Sequence, residues 1–341
     1  MMSQSRKHRR AVLWIALAFA LIQLGLAAVV DCLLPEVRDP EYAAKERRLR
    51  ERLADLPGRP LVLVLGSSRV VNGLRAGLIS GTAADDRPVV FNLALPGGGP
   101  FLQRICLERL RSAGIKPALL CLEVLPAFFN HQRSEYLDQL LLDTARLSAA
   151  ELSLLAPCAD RPRRPLERWV SARVLPSQRH SAELAGQLGV DRYRPGFGPL
   201  PPDFAMDGHG WHPWADEPTP EQRRDWTALA HRQYDVFYRD FRLAAGPARA
   251  LHDALALCRA EGIRVALVLM PEATAFRSLY VPTVWTEFER FLTDVRQQFA
   301  VPLIDARDWV PDDGFTDGHH LHPEGATRFT KRFGAALAEM R

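Results

Sequence analysis

Cysteine is scarce in this sequence, with five residues among 341 and no CxxC pair or regular spacing. An odd number of cysteines without such a pattern argues against a disulfide framework and against a cysteine-based zinc site. One cysteine near the N-terminus, Cys32, directly follows Asp31, and an aspartate does not fit the small-residue box that lipoprotein processing needs. We therefore expect neither structural disulfides nor a lipidated cysteine.

The sequence also lacks an internal repeat and a marked excess of one charge. It has 44 basic and 40 acidic residues, and its arginines are spread along the chain beside acids. Such a distribution does not form the basic patch that nucleic-acid binding requires. With 47% hydrophobic and 25% charged residues, the composition is that of a globular protein with material for one large core or two modest ones.

Charge is absent altogether from residues 11–30, where the single polar side chain is Gln23. This length suffices to cross a hydrocarbon layer of about 30 Å. The basic run Arg6–Arg10 in front of it favours a cytoplasmic N-terminus. We expect a short cytoplasmic segment at 1–10, an uncleaved single-pass anchor at 11–34 and an extracytoplasmic remainder, with a cleaved signal sequence as the alternative.

Short apolar runs alternate with helical patterns over most of the chain. The runs are typical of strands buried on both faces of a parallel sheet. They are Leu61–Gly66, Val89–Ala94, Ala118–Leu125, Ile263–Met270 and Val301–Ile304. This alternation predicts an α/β domain over 59–341, doubly wound and flavodoxin-like, with a five-stranded parallel sheet and flanking helices. A charged helical stalk is expected at 35–58, and a helical and loop insertion interrupts the domain at about 130–245.

In such a sheet, chemistry is expected at the carboxyl ends of the strands. Ser68 follows the first strand, and Asp317 and His320 follow the fifth in a turn that contains glycine. A serine nucleophile needs a base that is itself held by a carboxylate. We predict that Ser68 attacks, His320 takes its proton and Asp317 orients the imidazole. Taken alone, Ser67 or Ser68 before a helix is better explained as an N-cap, and Asp317 and His320 are what favour a nucleophile.

The histidines around residue 320 allow a second interpretation, a metal site. Its candidate ligands are Asp317, His319, His320 and His322, with His209 and His212 of the insertion as partners. Ligands packed this closely in sequence rarely converge on one ion without a partner elsewhere in the chain. We therefore predict a site without a metal or a cofactor.

Three motifs in this order resemble the SGNH/GDSL hydrolase superfamily. They are strand-Gly66-Ser67-Ser68, Asn92-x(4)-Gly97 and DGHHLHPEGA at 317–326. Within the superfamily the chain most resembles the membrane-anchored branch that includes the teichoic-acid D-alanylation protein and the alginate O-acetylation proteins. The resemblance implies that Ser68 is the nucleophile and that Asp317 and His320 form the closing motif. His322 stands where that branch usually has asparagine.

The resemblance further implies an oxyanion hole built from the Ser68 N–H, Gly97 or Gly98, and an asparagine after the third strand. No Gly-x-Asn-Asp motif follows that strand. Asn130 is the candidate for this donor, and Arg69 or a backbone amide is the alternative.

Substrate contacts are expected from Arg69 and from aromatic residues of the insertion. Trp211 and Trp214 suit stacking on a sugar ring, although packing of a capping subdomain explains them as well. We expect a serine esterase or O-acyltransferase acting on an acylated cell-envelope glycan or lipid. The alternatives are a catalytically silent accessory module that binds a polysaccharide or a membrane acyltransferase, and a metal-dependent hydrolase.

Overall fold

The domain is built on a sheet of five parallel strands. A computed structural model describes residues 2–131, 143–158, 163–187, 193–194, 198–199, 206–214, 217–239 and 241–340. Strands β1 to β5 are Leu61–Leu65, Val89–Asn92, Leu119–Glu123, Arg264–Leu269 and Leu303–Asp305. They pair in the order β2-β1-β3-β4-β5, and every pairing is parallel. The predicted five-stranded parallel sheet is confirmed.

Helices cover both faces of the sheet, and three further helices precede β1 in the chain. Among the described residues, α1 to α14 are Met2–Cys32, Pro35–Arg38, Pro40–Asp55, Ser68–Gly73, Pro100–Ser112, Ala149–Leu155, Arg163–Val174, Pro176–Arg179, Ser181–Gln187, Pro220–Tyr238, Ala245–Ala260, Thr274–Arg277, Pro282–Phe299 and Pro323–Glu339. A two-residue antiparallel pair joins 193–194 to 198–199. The predicted insertion at about 130–245 contains α6 to α10 and lies partly outside the described residues.

The side chains of β1 alternate between two hydrophobic layers, as a strand buried on both faces requires. Leu61, Leu63 and Leu65 pack into the layer that contains α5, α11 and α13. Val62 and Val64 pack into the opposite layer with α4 and α14. Helices on both faces make the sheet doubly wound. Because all five strands are parallel, their carboxyl ends lie at the same edge of the sheet.

One helix among the described residues is long and apolar enough to cross a membrane, the stretch Lys7–Cys32 of α1. Its large apolar side chains are mostly exposed, which suits contact with lipid. A signal sequence near the N-terminus would also meet these criteria of length and composition. The single-pass topology with a cytoplasmic N-terminus therefore stays a prediction.

The segment expected to be a stalk at 35–58 packs against the sheet domain. Its main helix, α3, buries Tyr42, Lys45 and Leu49, and Leu49 belongs to the larger core cluster. Spacings of three and four residues place these side chains on one face of the helix. The charged residues around them occupy the other face, so the segment is part of the folded domain and not a solvated spacer.

Lys45 ties α3 to the edge of the sheet where the strands end. Its buried Nζ donates to the carbonyl oxygens of Asn92, at 3.1 Å, and Gly210, at 2.8 Å. Gly210 has a φ of +82°, and a Cβ at this position would lie 2.2 Å from the Asn92 oxygen. The contact therefore fixes the loop at 206–214 against the end of β2.

Replacing Lys45 by methionine is expected to remove a pH dependence of stability. Burial lowers the pKa of Lys45 to about 7, whereas an unfolded lysine titrates near pH ~10.4. The unfolded chain therefore binds more protons between these values. The free energy of unfolding of the wild type should rise with pH there, by at most about 1.4 kcal/mol per pH unit from this residue.

Urea unfolding of the full chain in detergent, at several pH values from about 6 to about 10, measures this slope. Lys116→Met serves as the matched control because Lys116 is exposed. Wild type and Lys116→Met should share a slope that Lys45→Met lacks. Parallel profiles for all three proteins would contradict the assignment.

Candidate active site

Two adjacent serines follow β1, and the structure gives them different roles. Ser67 is the N-cap of α4, where its Oγ accepts a hydrogen bond from the Arg69 N–H at 3.2 Å. Ser68 is the first residue of the helix. The capping interpretation therefore applies to Ser67, and the Ser68 hydroxyl is left for another partner.

Ser68, His320 and Asp317 form a continuous hydrogen-bonded chain. The Ser68 Oγ lies 2.8 Å from His320 Nε2, and His320 Nδ1 lies 2.7 Å from Asp317 Oδ2. A carboxylate only accepts, so the His320 proton sits on Nδ1 and Nε2 accepts from the serine hydroxyl. The structure thus brings together the three predicted residues, although Ser68 and His320 are 252 positions apart.

Asp317 is buried and remains charged. Burial alone would raise its pKa, but His319 and His320 outweigh this effect and hold the pKa below its usual range. Its other oxygen, Oδ1, accepts from the backbone N–H groups of His320, at 2.8 Å, and His319, at 3.1 Å. Burial also keeps the pKa of His319 well below its usual range.

A short turn presents Asp317 and His320 from the end of the sheet. Gly318 has a φ of +92°, in the region that favours glycine, and the Thr316 N–H donates to the His320 carbonyl at 2.8 Å. His322 then caps α14, since its Nδ1 accepts from the N–H of Glu324 at 3.2 Å. A histidine can replace asparagine here because both offer an acceptor to the first turn of a helix.

Two backbone N–H groups, those of Ser68 and Gly97, are candidates for the oxyanion donors that the resemblance implies. In the part of the chain that the structure describes, the N–H groups of Ser68 and Gly97 donate to no protein acceptor. The Gly98 N–H, by contrast, donates to the Leu95 carbonyl at 2.9 Å. A Cβ on Gly98 would lie 2.0 Å from the Gly66 oxygen, so this turn packs tightly on the serine loop. Gly97, and not Gly98, fits the predicted oxyanion donor.

Asn130 does not fit the predicted third donor. It is fully buried, and its Nδ2 donates to the Phe237 carbonyl at 2.5 Å. Its backbone also bridges to Leu243. After β3 the chain makes a 3₁₀ turn at Pro126–Phe129, which carries Asn130 past the edge of the sheet. This residue joins the sheet to α10 and is not an oxyanion donor.

Arg69 is likewise a buried structural residue and not a substrate contact. Its Nη2 donates to the carbonyls of Met270, at 3.1 Å, and Pro271, at 3.0 Å, and to Glu272 Oε1 at 3.1 Å. Burial alone would lower the pKa of Arg69, but the carboxylates of Glu272 and Glu123 outweigh it and raise the pKa. The structure does not support the predicted substrate contact, because the Arg69 side chain is 1% exposed and is held by these buried partners.

Glu123 and Glu272 complete this buried charge cluster and were not predicted as site residues. Glu123 Oε2 accepts from the Ser67 N–H at 2.6 Å, which fixes the loop that carries Ser68. Glu272 Oε1 accepts from the Tyr280 hydroxyl at 2.6 Å. The available signal was a glutamate within the otherwise apolar run of β3, where an unpaired charge is costly.

The two tryptophans predicted to contact substrate lie in different surroundings. The Trp214 ring stacks on His320, with ring centroids 4.6 Å apart and an interplanar angle of 7°, and remains 38% exposed. The Trp211 Nε1 donates to the Asn72 carbonyl at 2.7 Å, and Arg75 lies over its ring. Trp214 is therefore a wall of the site, whereas Trp211 packs against α4.

A metal site would have to share its ligands with the hydrogen-bonded chain. Within the described ranges, the group of metal-binding side chains is Asp317, His319 and His320, whose donor atoms lie within 4.8 Å of one another. His209 Nδ1 instead lies 3.1 Å from the Val90 carbonyl oxygen. His322 caps α14 through its Nδ1, and His212 is not part of this group in the described residues. Both His320 nitrogens already have partners.

Comparison with known proteins adds little about chemistry. A family described as a protein of unknown function (DUF1574) matches residues 17–148, and a second family model, which carries no description, matches 243–340. No curated protein matches the chain. Among solved structures, a proposed acylhydrolase from Bacteroides fragilis is similar, with 12% identity, a TM-score of 0.37 and coverage of 87% of this chain and 97% of that one. The chemistry is therefore inferred from the site itself.

Proposed function

We propose that this chain is a membrane-anchored serine esterase or O-acyltransferase of the SGNH type. The observation that carries the proposal is the Asp317–His320–Ser68 chain at 2.7 and 2.8 Å. A second serine, Ser67, already provides the helix cap. Helix formation alone therefore does not account for the geometry of Ser68, whereas nucleophilic catalysis does.

The proposed reaction begins with attack of the Ser68 oxygen on an ester carbonyl. His320 Nε2 takes the hydroxyl proton, and Asp317 stabilises the imidazolium that forms. The carbonyl oxygen becomes an oxyanion, which the N–H groups of Ser68 and Gly97 are available to bind. When the tetrahedral intermediate collapses, His320 returns the proton to the leaving alcohol. The acyl group remains on Ser68 until water or another hydroxyl attacks it.

The proposed substrate is an acylated glycan or lipid of the cell envelope. The exposed part of Trp214 lies beside His320 and offers an aromatic face to a sugar ring or an acyl chain. The apolar helix α1 would hold the site near a membrane on its extracytoplasmic side. This setting agrees with the resemblance to the teichoic-acid D-alanylation and alginate O-acetylation proteins, in which acyl groups are transferred at the envelope.

A catalytically silent accessory module is the second candidate. The observation that favours it is the loss of a side-chain oxyanion donor after β3, where Asn130 is bound to Phe237. Removal of one such donor costs about 10²–10³ in kcat in a serine protease. In this alternative the domain would bind a polysaccharide or a membrane acyltransferase without turnover.

Labelling with a fluorophosphonate distinguishes the two candidates. This reagent transfers its phosphonyl group to an activated serine oxygen and releases fluoride. We expect the purified full chain in detergent to carry one label, located on Ser68 by peptide mass spectrometry. Ser68→Ala should lose the label.

Ser67→Ala is the matched control, because it removes the neighbouring hydroxyl and leaves the Ser68–His320 contact in place. We expect this control to keep the label, with a loss of stability of about 1 kcal/mol for the missing cap. A wild-type chain that stays unlabelled under these conditions would favour the accessory module. Loss of ester hydrolysis after treatment with a chelator would instead indicate a metal-dependent hydrolase.

A further inference from the structure

The corner formed by α7 and α8 exposes a cluster of apolar side chains. Leu166, Val170 and Val174 are 49%, 48% and 60% exposed, and Leu175 follows them at 38%. The first three are spaced four residues apart, which places them along one stripe of α7. Elsewhere in the described sheet domain, exposed large apolar residues occur singly. A contiguous patch of this kind marks a contact surface.

The same corner is bound to the apolar helix α1. The Ser177 hydroxyl and N–H both donate to Gln23 Oε1, at 2.9 and 3.3 Å. Gln23 is the single polar side chain in the uncharged run and is buried by this contact. Nearer the end of α1, Arg173 forms a two-pronged ion pair with Asp31, with both N–O distances at 2.7 Å.

These contacts fix the depth of the corner relative to a bilayer. Gln23 precedes Val30, the last residue of the uncharged run, by seven positions. A helix rises about 1.5 Å per residue, so Gln23 lies about 10 Å inside the apolar run. If residues 11–30 fill the hydrocarbon layer, Ser177 reaches below its boundary. Interfacial helices bury their apolar face by about 5–10 Å, which matches this depth.

We propose that α7 and α8 form an interfacial membrane-binding surface whose stripe of Leu166, Val170 and Val174 contacts the acyl chains of one leaflet. The proposal rests on the membrane anchoring of the proposed function but not on its chemistry. Lipid is the favoured occupant because the stripe adjoins the helix that spans the bilayer. Two attachments, α1 and this corner, would hold the domain in one orientation on the membrane instead of letting it pivot on a single helix.

Lipid quenching of site-specific fluorescent labels tests this surface. The full chain carries Cys32→Ser to remove the exposed thiol, while the other four cysteines are buried. Single labels are attached through Val170→Cys, through Leu17→Cys in the span, and through Leu229→Cys, an equally exposed site on α10. Each protein is reconstituted into phosphatidylethanolamine and phosphatidylglycerol vesicles in which part of the lipid carries bromine on its acyl chains.

We expect bromine to quench the Val170 label by at least about half as much as the Leu17 label, as an interfacial position requires, and to leave the Leu229 label unquenched. Quenching at Leu17 but not at Val170 would overturn the surface while leaving the anchor intact, and would point to a protein partner on this face. Equal quenching at Val170 and Leu229 would also overturn it. An unquenched Leu17 label would overturn both the anchor and this inference.

Discussion

Replacing Ser68 by alanine is expected to lower kcat for hydrolysis of 4-nitrophenyl acetate by at least about 10³-fold. Without the hydroxyl, His320 has no nucleophile to activate and no acyl-enzyme forms. The backbone donors at Ser68 and Gly97 remain, so a slow residual reaction with water persists. Stopped-flow or steady-state release of nitrophenolate measures the loss. Unchanged turnover would remove Ser68 from the mechanism.

A double-mutant comparison shows whether the three residues act as a unit. Asp317→Asn keeps the Ser68 hydroxyl but no longer holds the Nδ1 proton, and the equivalent change in a serine protease lowers kcat by about 10⁴-fold. The combination of Ser68→Ala with Asp317→Asn should cost no more than the larger single change. Multiplicative losses would show that the two residues contribute independently, which contradicts the proposed triad.

Replacing Arg69 by methionine is expected to cost about 3–5 kcal/mol of unfolding free energy, the usual effect of removing one partner from a buried ion pair. The side chains of Arg69, Glu123 and Glu272 are all at most 1% exposed. Methionine would fill most of the volume but would leave two carboxylates buried without a counter-charge. Urea unfolding of the full chain in detergent measures the difference.

The Arg69→Met deficit should depend on pH in a defined direction. Burial already raises the pKa of Glu272 with Arg69 beside it, whereas an unfolded glutamate titrates near about 4.3. A raised pKa in the folded state means that the folded state binds more protons than the unfolded state. The stabilisation that comes from protonating Glu272 is therefore lost as pH rises through the folded pKa. The deficit should therefore be smaller in mild acid than at alkaline pH.

Arg87→Met is the matched control for this substitution, because the Arg87–Asp85 pair lies at the surface. We expect it to leave the free energy of unfolding close to the wild-type value, because water screens an exposed ion pair. Adding Glu123→Gln and Glu272→Gln to Arg69→Met should recover part of the lost stability, since neutral amides need no counter-charge. An Arg69→Met protein as stable as Arg87→Met would contradict the assigned role of the cluster.

The sheet and the triad were accessible from the sequence for a common physical reason. Strands buried on both faces require continuous apolar runs, and parallel strands open onto one edge. Polar residues directly after such runs therefore have a predictable destination. Ser68 lies three residues past the end of β1 and satisfies this condition. Asp317 and His320 lie twelve and fifteen residues past the end of β5, in the turn before α14, and the structure places all three residues within hydrogen-bonding distance.

The predictions for Asn130 and Arg69 failed because tertiary partners set the direction of each side chain. Asn130 is seven positions past Glu123, and a 3₁₀ turn directs it away from the site. Arg69 follows Ser68 directly but is buried against Glu123, at the end of β3, and Glu272, which follows β4. Neither direction is encoded in local spacing, because each depends on which carbonyls and carboxylates the packed sheet presents.

The sequence by itself determined the parallel sheet, the apolar N-terminal helix and the candidate nucleophile, base and carboxylate, because hydrophobic periodicity and strand ends are local properties of the chain. Only the tertiary structure decided that Ser67 caps the helix while Ser68 meets His320, that Trp214 covers the imidazole, and that α3 joins the core. These outcomes depend on hydrogen bonds and contacts between residues far apart in sequence. Such contacts exist only once the two hydrophobic layers have packed around the sheet.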